Sequence, residues 1–365
     1  MKKIIKNRIL KRKYIYLIKI FKIFLLLVYS IYIIKKINKR KRFKKIGIIG
    51  LAHSQNIGNN LLKYAIYIKL LEYDLKPFII GKRKYKSNIS FILNNVKVRI
   101  INKSFSEINK NDYDILMVNS DQTWRKQKDF LNIGFLNFAK NWDIPKFVYG
   151  ASLGINKWKY TKKEDKKIKS LIKTFNGIST REKGSIKLIE DHLGIKPILV
   201  LDPTLIINKK YYLNLIKNFK IDNFIDYKFI FVYTLTYSEE IKSLIKNLAT
   251  KFNYQIYIID IYVKNNIQKF IYGIYKSKAV ITDSFHGTIF SIIFNKPFLS
   301  FVNDFRGNER FNSLKEVFNL TNRIIYKNYS PDINLLNEPL KINKNILKNL
   351  TKKSIHFLKS NLFFY

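Results

Sequence analysis

His286 stands in Ile281-Thr282-Asp283-Ser284-Phe285-His286-Gly287-Thr288, where an apolar run ends and a helical pattern begins. An imidazole gives and takes a proton near neutral pH, which makes His286 the candidate general acid. Gly287 beside it lets backbone come close to a ligand, and Ser284 is grouped with them as a binding residue. A helix N-terminus favours a bound anion and by itself lowers the pKa of an adjacent imidazolium. A neighbouring anion is then needed to keep the proton on, either a bound phosphate or Asp283. The competing reading is a histidine that only caps the helix or hydrogen-bonds in the core.

Arg181, in Ser179-Thr180-Arg181-Glu182-Lys183, is the candidate clamp for a phosphate or carboxylate, because a guanidinium fits planar groups with several oxygens. Its bland alternative is a surface ion pair with Glu182. Asp121, in Asn119-Ser120-Asp121-Gln122-Thr123-Trp124, is read as a base toward a hydroxyl, as an orienter of Arg181, or as an ordinary loop carboxylate. Asn56, Gly58 and Asn59 open a helix and can offer N–H donors to an anion or simply make a turn. Arg310 and Arg306 are candidate cleft cations against a default of solvated surface, and His53 is a minor extra. His192 and His356 read as structural or surface residues.

Composition removes several chemistries. The 365 residues hold no cysteine, so disulfides, thiolate metal sites, iron–sulfur clusters and a cysteine nucleophile are excluded. Four histidines leave little for a His-rich metal site, and no metal or cofactor is expected. Neither Gly-x-Gly-x-x-Gly nor a Walker loop occurs, which disfavours the usual dinucleotide and P-loop modes. Hydrophobic residues reach 47%, enough for a sizeable core. With 69 Lys+Arg against 25 Asp+Glu the chain carries +44. That charge suits nucleic acid, an anionic membrane face or anionic substrates. A general enrichment in Lys, Ile, Asn, Tyr and Phe explains part of it with no function at all.

The elements that must hold these residues alternate in type. Buried-strand runs are read at Ile46–Gly50, Pro77–Ile80, Ile115–Val118, Phe147–Gly150, Gly177–Ser179 and Ile198–Leu201, then at Phe229–Leu235, Gln255–Ile259, Ala279–Thr282 and Pro297–Phe301. Helical spacing is read at Asn59–Leu71, Thr161–Lys173, Ser238–Phe252 (Ser238 as cap), Asn266–Ser277, Thr288–Phe294 and from Ile342 onward. Such alternation predicts an α/β protein with two Rossmann-like parallel-sheet domains facing a cleft, at 44–215 and 216–340, and a helical segment at 341–365. Ligands in such sheets bind beyond the carboxyl ends of the strands, where the polar clusters fall.

Residues 1–43 are a separate basic, apolar helix in this reading. Tyr14–Ile34 is apolar apart from Lys19 and Lys22, basic clusters flank it, and no acidic residue precedes Glu72. No small-residue cleavage site follows, so a signal peptide is disfavoured. A span would push one basic cluster across the bilayer, whereas an interfacial helix places both on anionic headgroups. The expected location is the inner face of the cell membrane, peripheral and cytoplasmic. A single-pass span and a helix docked on the protein are the alternatives.

The polar clusters together resemble the polysaccharide pyruvyl transferase family. The resemblance lies in His53–Asn60, Asn119–Trp124, Tyr149–Gly154, Ser179–Lys183, Leu201-Asp202-Pro203-Thr204 and Ile281–Thr288, with Arg310 and Asn322-Arg323 where members carry a late arginine. It covers roughly residues 45–325. Each motif is weak alone, and six in order are specific. The resemblance implies a GT-B-like fold and transfer of pyruvate from phosphoenolpyruvate to hydroxyls of a cell-surface glycan, free or lipid-linked, as a ketal. One departure stands out. Some members have Arg-Leu-His-Gly, and this chain has Ser284 in place of that arginine. Two rival functions remain: a GT-B glycosyltransferase using a nucleotide sugar, and a non-enzymatic basic adaptor on membrane or RNA. The first lacks a Gly-rich turn with a ribose-binding carboxylate. Against the second, the aromatics mostly follow apolar periods, so nucleic acid is disfavoured as a partner.

Overall fold

The computed structural model describes residues 43–51, 56–80, 99–101, 103–219, 228–236, 239–259, 266–303, 307–327 and 329–364. Met1–Phe43 and Lys44–Tyr365 form separate units, and the second is the body considered below. The N-terminal helix expectation, His53, Arg306 and the Ser238 cap lie outside the described residues.

The first lobe runs β1 (Lys45–Ile49), α1 (Ile57–Leu71), β2 (Lys76–Ile80), β3 (Ile100–Ile101), β4 (Ile115–Val118), α2 (Phe130–Phe135), β5 (Lys146–Ala151), α3 (Lys162–Ile172), β6 (Gly177–Thr180), α4 (Lys183–Leu193), β7 (Ile198–Leu199) and α5 (Lys210–Leu215). The second runs β8 (Phe229–Tyr233), α6 (Glu239–Phe252), β9 (Gln255–Ile258), α7 (Asn266–Lys276), β10 (Ala279–Thr282), α8 (Phe285–Ile293), β11 (Phe298–Phe301), α9 (Glu309–Phe318) and β12 (Ile324–Ile325). The last helix, α10 (Lys344–Phe363), returns to the first lobe. There its Ser354 Oγ accepts from Leu201 N at 2.8 Å and its Phe357 packs on Phe147 and Tyr149.

Both sheets are parallel throughout, in the orders β3-β2-β1-β4-β5-β6-β7 and β12-β11-β10-β8-β9. Strands such as Ile115-Leu116-Met117-Val118 are buried on both faces, as continuous apolar runs require. The order reverses between β1 and β4 in one sheet and between β8 and β10 in the other. A crevice opens at such reversals, beyond the strand carboxyl ends. Asn56 and Asp121 follow the first pair, and Ser284 and His286 follow β10.

The lobes also share apolar packing. One core cluster runs from Tyr64 and Tyr149 through Tyr212 to Phe270 and Phe290. Tyr212 lies at its centre, 6.1 Å from the Tyr64 ring and 4.8 Å from that of Phe290. Among the described residues no helix is long and apolar enough to cross a membrane.

Candidate active site

The β10–α8 turn is built by its own side chains. Thr282 Oγ1 donates to Tyr233 O at 2.6 Å and accepts from Ser284 N at 3.0 Å. Ser284 Oγ caps the helix, accepting from Gly287 N. A methyl on Gly287 would strike Thr282 Oγ1, so glycine permits the tight packing. Helix α8 therefore begins at Phe285 rather than at Thr288, and His286 lies inside its first turn, buried. Asp283 does not serve the imidazole: its carboxylate accepts from Leu235 N and Thr236 N, tying the turn after β8.

The anion beside His286 is Asp202, from the turn after β7. Its Oδ2 is 3.9 Å from His286 Nε2 and accepts from Arg181 Nη1. Its Oδ1 accepts from Thr204 N at 3.0 Å and Thr204 Oγ1 at 2.6 Å. Arg181 continues the chain, with Nη2 donating to Asp121 Oδ1 at 3.1 Å. Arg181 is thus a buried strut between two carboxylates, not a surface partner of Glu182. The Glu182 carboxylate instead accepts from Leu153 N, Gly154 N and the hydroxyls of Ser152 and Ser185. Asp121 orients Arg181, from a backbone with φ +92° and ψ −176°. That region is nearly glycine-only and costs about 1–3 kcal/mol, a strain found mainly at functional sites.

The second lobe adds Arg310, near the start of α9. It is half-buried, with its Nε out of water, contrary to the solvated-surface default, and its guanidinium and that of Arg181 lie 5.0 and 4.9 Å from the centre of one ring, Phe285. Residues of α9 also cap α4 across the lobes: Ser313 Oγ accepts from Lys183 N at 2.7 Å and Glu309 Oε1 from Gly184 N at 3.1 Å. These contacts fix Arg310 relative to Arg181. A cavity of about 30 Å³ lies beside Arg181, Asp202, Phe285 and Arg310. Its remaining wall is Ser313 and apolar side chains.

The charges follow from this burial. Desolvation pulls the His286 pKa from 6.5 to about 4, with Asp202 working against the shift. The imidazole is therefore neutral at pH 7 in this state. Burial, with Arg181 as a like-charged neighbour, lowers the Arg310 pKa to about 10. Burial opposes the charge on Arg181 too, but Asp202, Asp121 and Glu182 outweigh it and hold its pKa above the ordinary value. For Asp202, Arg181 and the Thr204 bonds overcome burial and keep the carboxyl low. Neither His286 Nε2 nor Arg181 Nε has a hydrogen-bond partner within the protein, although both are buried. Unmet buried polar atoms are rare and ask for a ligand or a chemical role.

The α1 start meets the same cluster. Asn56 Oδ1 accepts from Asn59 N at 3.1 Å, so that N–H serves the helix cap rather than an anion. A methyl on Gly58 would overlap the His286 imidazole, so the two lobes touch here at a glycine. Gly58→Ala should push the lobes apart and cost about 1–3 kcal/mol, as overpacking does. An unchanged melting temperature would show that the contact is not tight.

Sequence reasoning missed two neighbours. Asp202 was visible only as a motif residue before a proline. Lys63, on the second turn of α1, is buried and donates to Leu51 O at 2.8 Å. Burial lowers its pKa to about 8, against the pull of Asp121. Arg323, by contrast, donates to the carbonyls of Leu335 and Glu338 and braces a loop. His192 stacks on Trp158 and His356 is exposed, as expected of structural and surface residues. Among the described residues no cluster of His, Asp and Glu could hold a metal.

Solved structures resemble this one in fold. A putative UDP-N-acetylglucosamine 2-epimerase from Listeria monocytogenes superposes with a TM-score of 0.53 at 10% identity, covering 88% of this chain and 97% of its own. The S. aureus MnaA-UDP co-structure gives 0.48 at 15% identity, over 86% and 88%. A glycosyltransferase from Rickettsia africae gives 0.46 at 12%, over 89% and 98%. The Listeria likeness supports the GT-B-like, two-lobed reading of the fold and nothing about substrate. No curated protein matches the chain. Residues 56–305 match the family described as polysaccharide pyruvyl transferase, a span that takes in Asp121, Arg181, Asp202 and His286. The chain belongs to the polysaccharide pyruvyl transferase family.

Proposed function

We propose that the protein transfers pyruvate from phosphoenolpyruvate to two hydroxyls of a glycan acceptor, free or lipid-linked, closing a ketal. The observation that carries this reading is the buried chain His286–Asp202–Arg181–Asp121, joined from both lobes, with His286 Nε2 and Arg181 Nε unmet by protein. Arg310, beside the same ring as Arg181, has its pKa depressed by burial and by that like charge, a cost that an added anion reduces. Phosphoenolpyruvate brings a phosphate and a carboxylate for Arg310 and for the edge of Arg181.

In the transfer, the methylene carbon gains a proton and becomes a methyl group, while positive charge develops at C2. The first sugar hydroxyl adds to C2, the phosphoester C–O bond breaks, and the second hydroxyl closes the ketal. Of the two hydroxyl protons lost, one balances the proton given to carbon and the other leaves with phosphate. His286 is the proton donor. It is neutral without donor substrate, and an added phosphate charge raises its proton affinity, so protonation is coupled to donor binding. Asp202 keeps a negative charge against the imidazolium. Asp121 positions Arg181 and takes no proton in this scheme.

The test is phosphate release from phosphoenolpyruvate by the full chain, against lipid-linked and nitrophenyl sugars, with the product mass identifying the ketal. Phosphoenolpyruvate alone should raise the melting temperature, by the equivalent of about 2.7 kcal/mol at a hundredfold excess over Kd. Stabilisation by a nucleotide sugar, with none by phosphoenolpyruvate, would replace this reading with glycosyl transfer.

A further inference from the structure

Helix α10 carries a one-signed outer face. Lys344, Lys348, Lys352, His356 and Lys359 recur every three or four positions and all are exposed. Its 20 residues include no Asp or Glu, whereas α3, α4, α6 and α9 each mix two acidic residues with their lysines. Helices α1, α2, α5, α7 and α8 also lack acidic residues, but none is as long as α10. The opposite side of α10, with Ser354, Phe357, Leu358 and Leu362, is buried on the first lobe.

The helix ends in aromatics that face water. Phe363 is 44% exposed and Phe364 78%, the highest of the large hydrophobics among the described residues. Beside them, the Tyr73 ring lies 6.0 Å from that of Phe363 with Lys359 5.3 Å over it, while Lys69 is buried and pairs with the exposed Glu72 at 2.7 Å. Leu71 is exposed as well. Lys44 Nζ donates to Leu362 O at 2.9 Å, which ties the helix end to the first residue of this unit. The segment joined there, 1–43, has its apolar run between two basic clusters. Ammonium groups interleaved with exposed rings are the chemistry of a membrane interface: lysines meet lipid phosphates and rings settle at headgroup depth. A nucleic acid duplex would use the lysines and leave Phe363, Phe364 and Leu71 in water, whereas a single strand would stack bases on the two rings and leave Leu71 unused.

We propose that the outer face of α10, with Phe363, Phe364 and Leu71 at its end, rests on an anionic lipid surface. Helix α1 begins against His286 and ends at Leu71, about 22 Å away at 1.5 Å per residue, so this contact leaves the inter-lobe cluster uncovered.

The chain has no cysteine, so Phe364→Cys in the full protein takes a single environment-sensitive fluorophore. Its emission should shift to the blue on vesicles containing phosphatidylglycerol and stay unchanged on pure phosphatidylcholine or with single-stranded or duplex RNA. The same label at Ile258→Cys, exposed on an edge strand of the second lobe, should not respond. Replacing Lys344, Lys348 and Lys352 by alanine should weaken vesicle binding on the order of a hundredfold, at about 1 kcal/mol per lysine. Two results would overturn the proposal: a label at 364 that stays in water while the protein sediments with vesicles, or one that responds to RNA and not to lipid.

Discussion

His286→Gln should abolish transfer while leaving the fold. Glutamine fills similar space, keeps hydrogen-bonding atoms and cannot deliver a proton, so the rate is expected to fall by about 10²–10⁴. The same variant has a second signature, independent of substrate. The imidazole titrates near 4 in the folded protein and near 6.5 when exposed. A depressed histidine pKa means that the unfolded chain takes up protons first. Its contribution is fully kept above about pH 6.5 and is lost as pH falls toward about 4. His286→Gln should therefore flatten the decline of melting temperature over that interval. Turnover at the wild-type rate would remove His286 from the chemistry, and an unaltered acid slope would show that the imidazole is not as desolvated as its burial implies.

Much of this site was legible before the structure, for a physical reason. A strand buried on both faces must be continuously apolar, so its end is marked by the first polar residues, and parallel sheets gather those ends on one edge. That logic put Asp121, Arg181 and the Asp283–Gly287 turn at strand ends, and β4 and β10 match the expected Ile115–Val118 and Ala279–Thr282. The two-residue strands β3 and β12 lie beneath any periodic signal, whereas β7 falls within the expected Ile198–Leu201. Helix α8 starts three residues early because Ser284 caps it, a local bond that periodicity does not encode. The placing of Arg310 over Phe285 and the pairing of Asp202 with both Arg181 and His286 depend on two lobes meeting, and no single segment carries that information. Ser284 has a local role. Its hydroxyl caps α8, and Arg310 reaches the Phe285 ring from α9.

The largest stability effect is expected at Arg181. Its guanidinium pairs Asp202 and Asp121, its side chain is 1% exposed, and that of Asp202 is equally buried. Arg181→Met keeps much of the volume and removes the charge. Two carboxylates would then share a buried site with no cation between them, and leaving a buried charge uncompensated costs about 3–5 kcal/mol. For a body of this size the melting temperature should drop on the order of 10 °C. Arg181→Lys should fall between, because an ammonium cannot hold two carboxylates at a fixed fork. The pH dependence separates this cause from simple repacking. In the wild type Asp202 has a depressed pKa, so its contribution is present at neutral pH and is lost only in acid, below the ordinary carboxylate range. In Arg181→Met the same carboxyl is raised by burial and protonates in mild acid, which relieves the unpaired charge. The gap between variant and wild type should therefore narrow as pH falls from 7, and adding Asp202→Asn to Arg181→Met should recover part of the loss. A constant gap across that range would mean that the cost is packing, and that Arg181 does not carry the charge balance on which the proposed anion site depends.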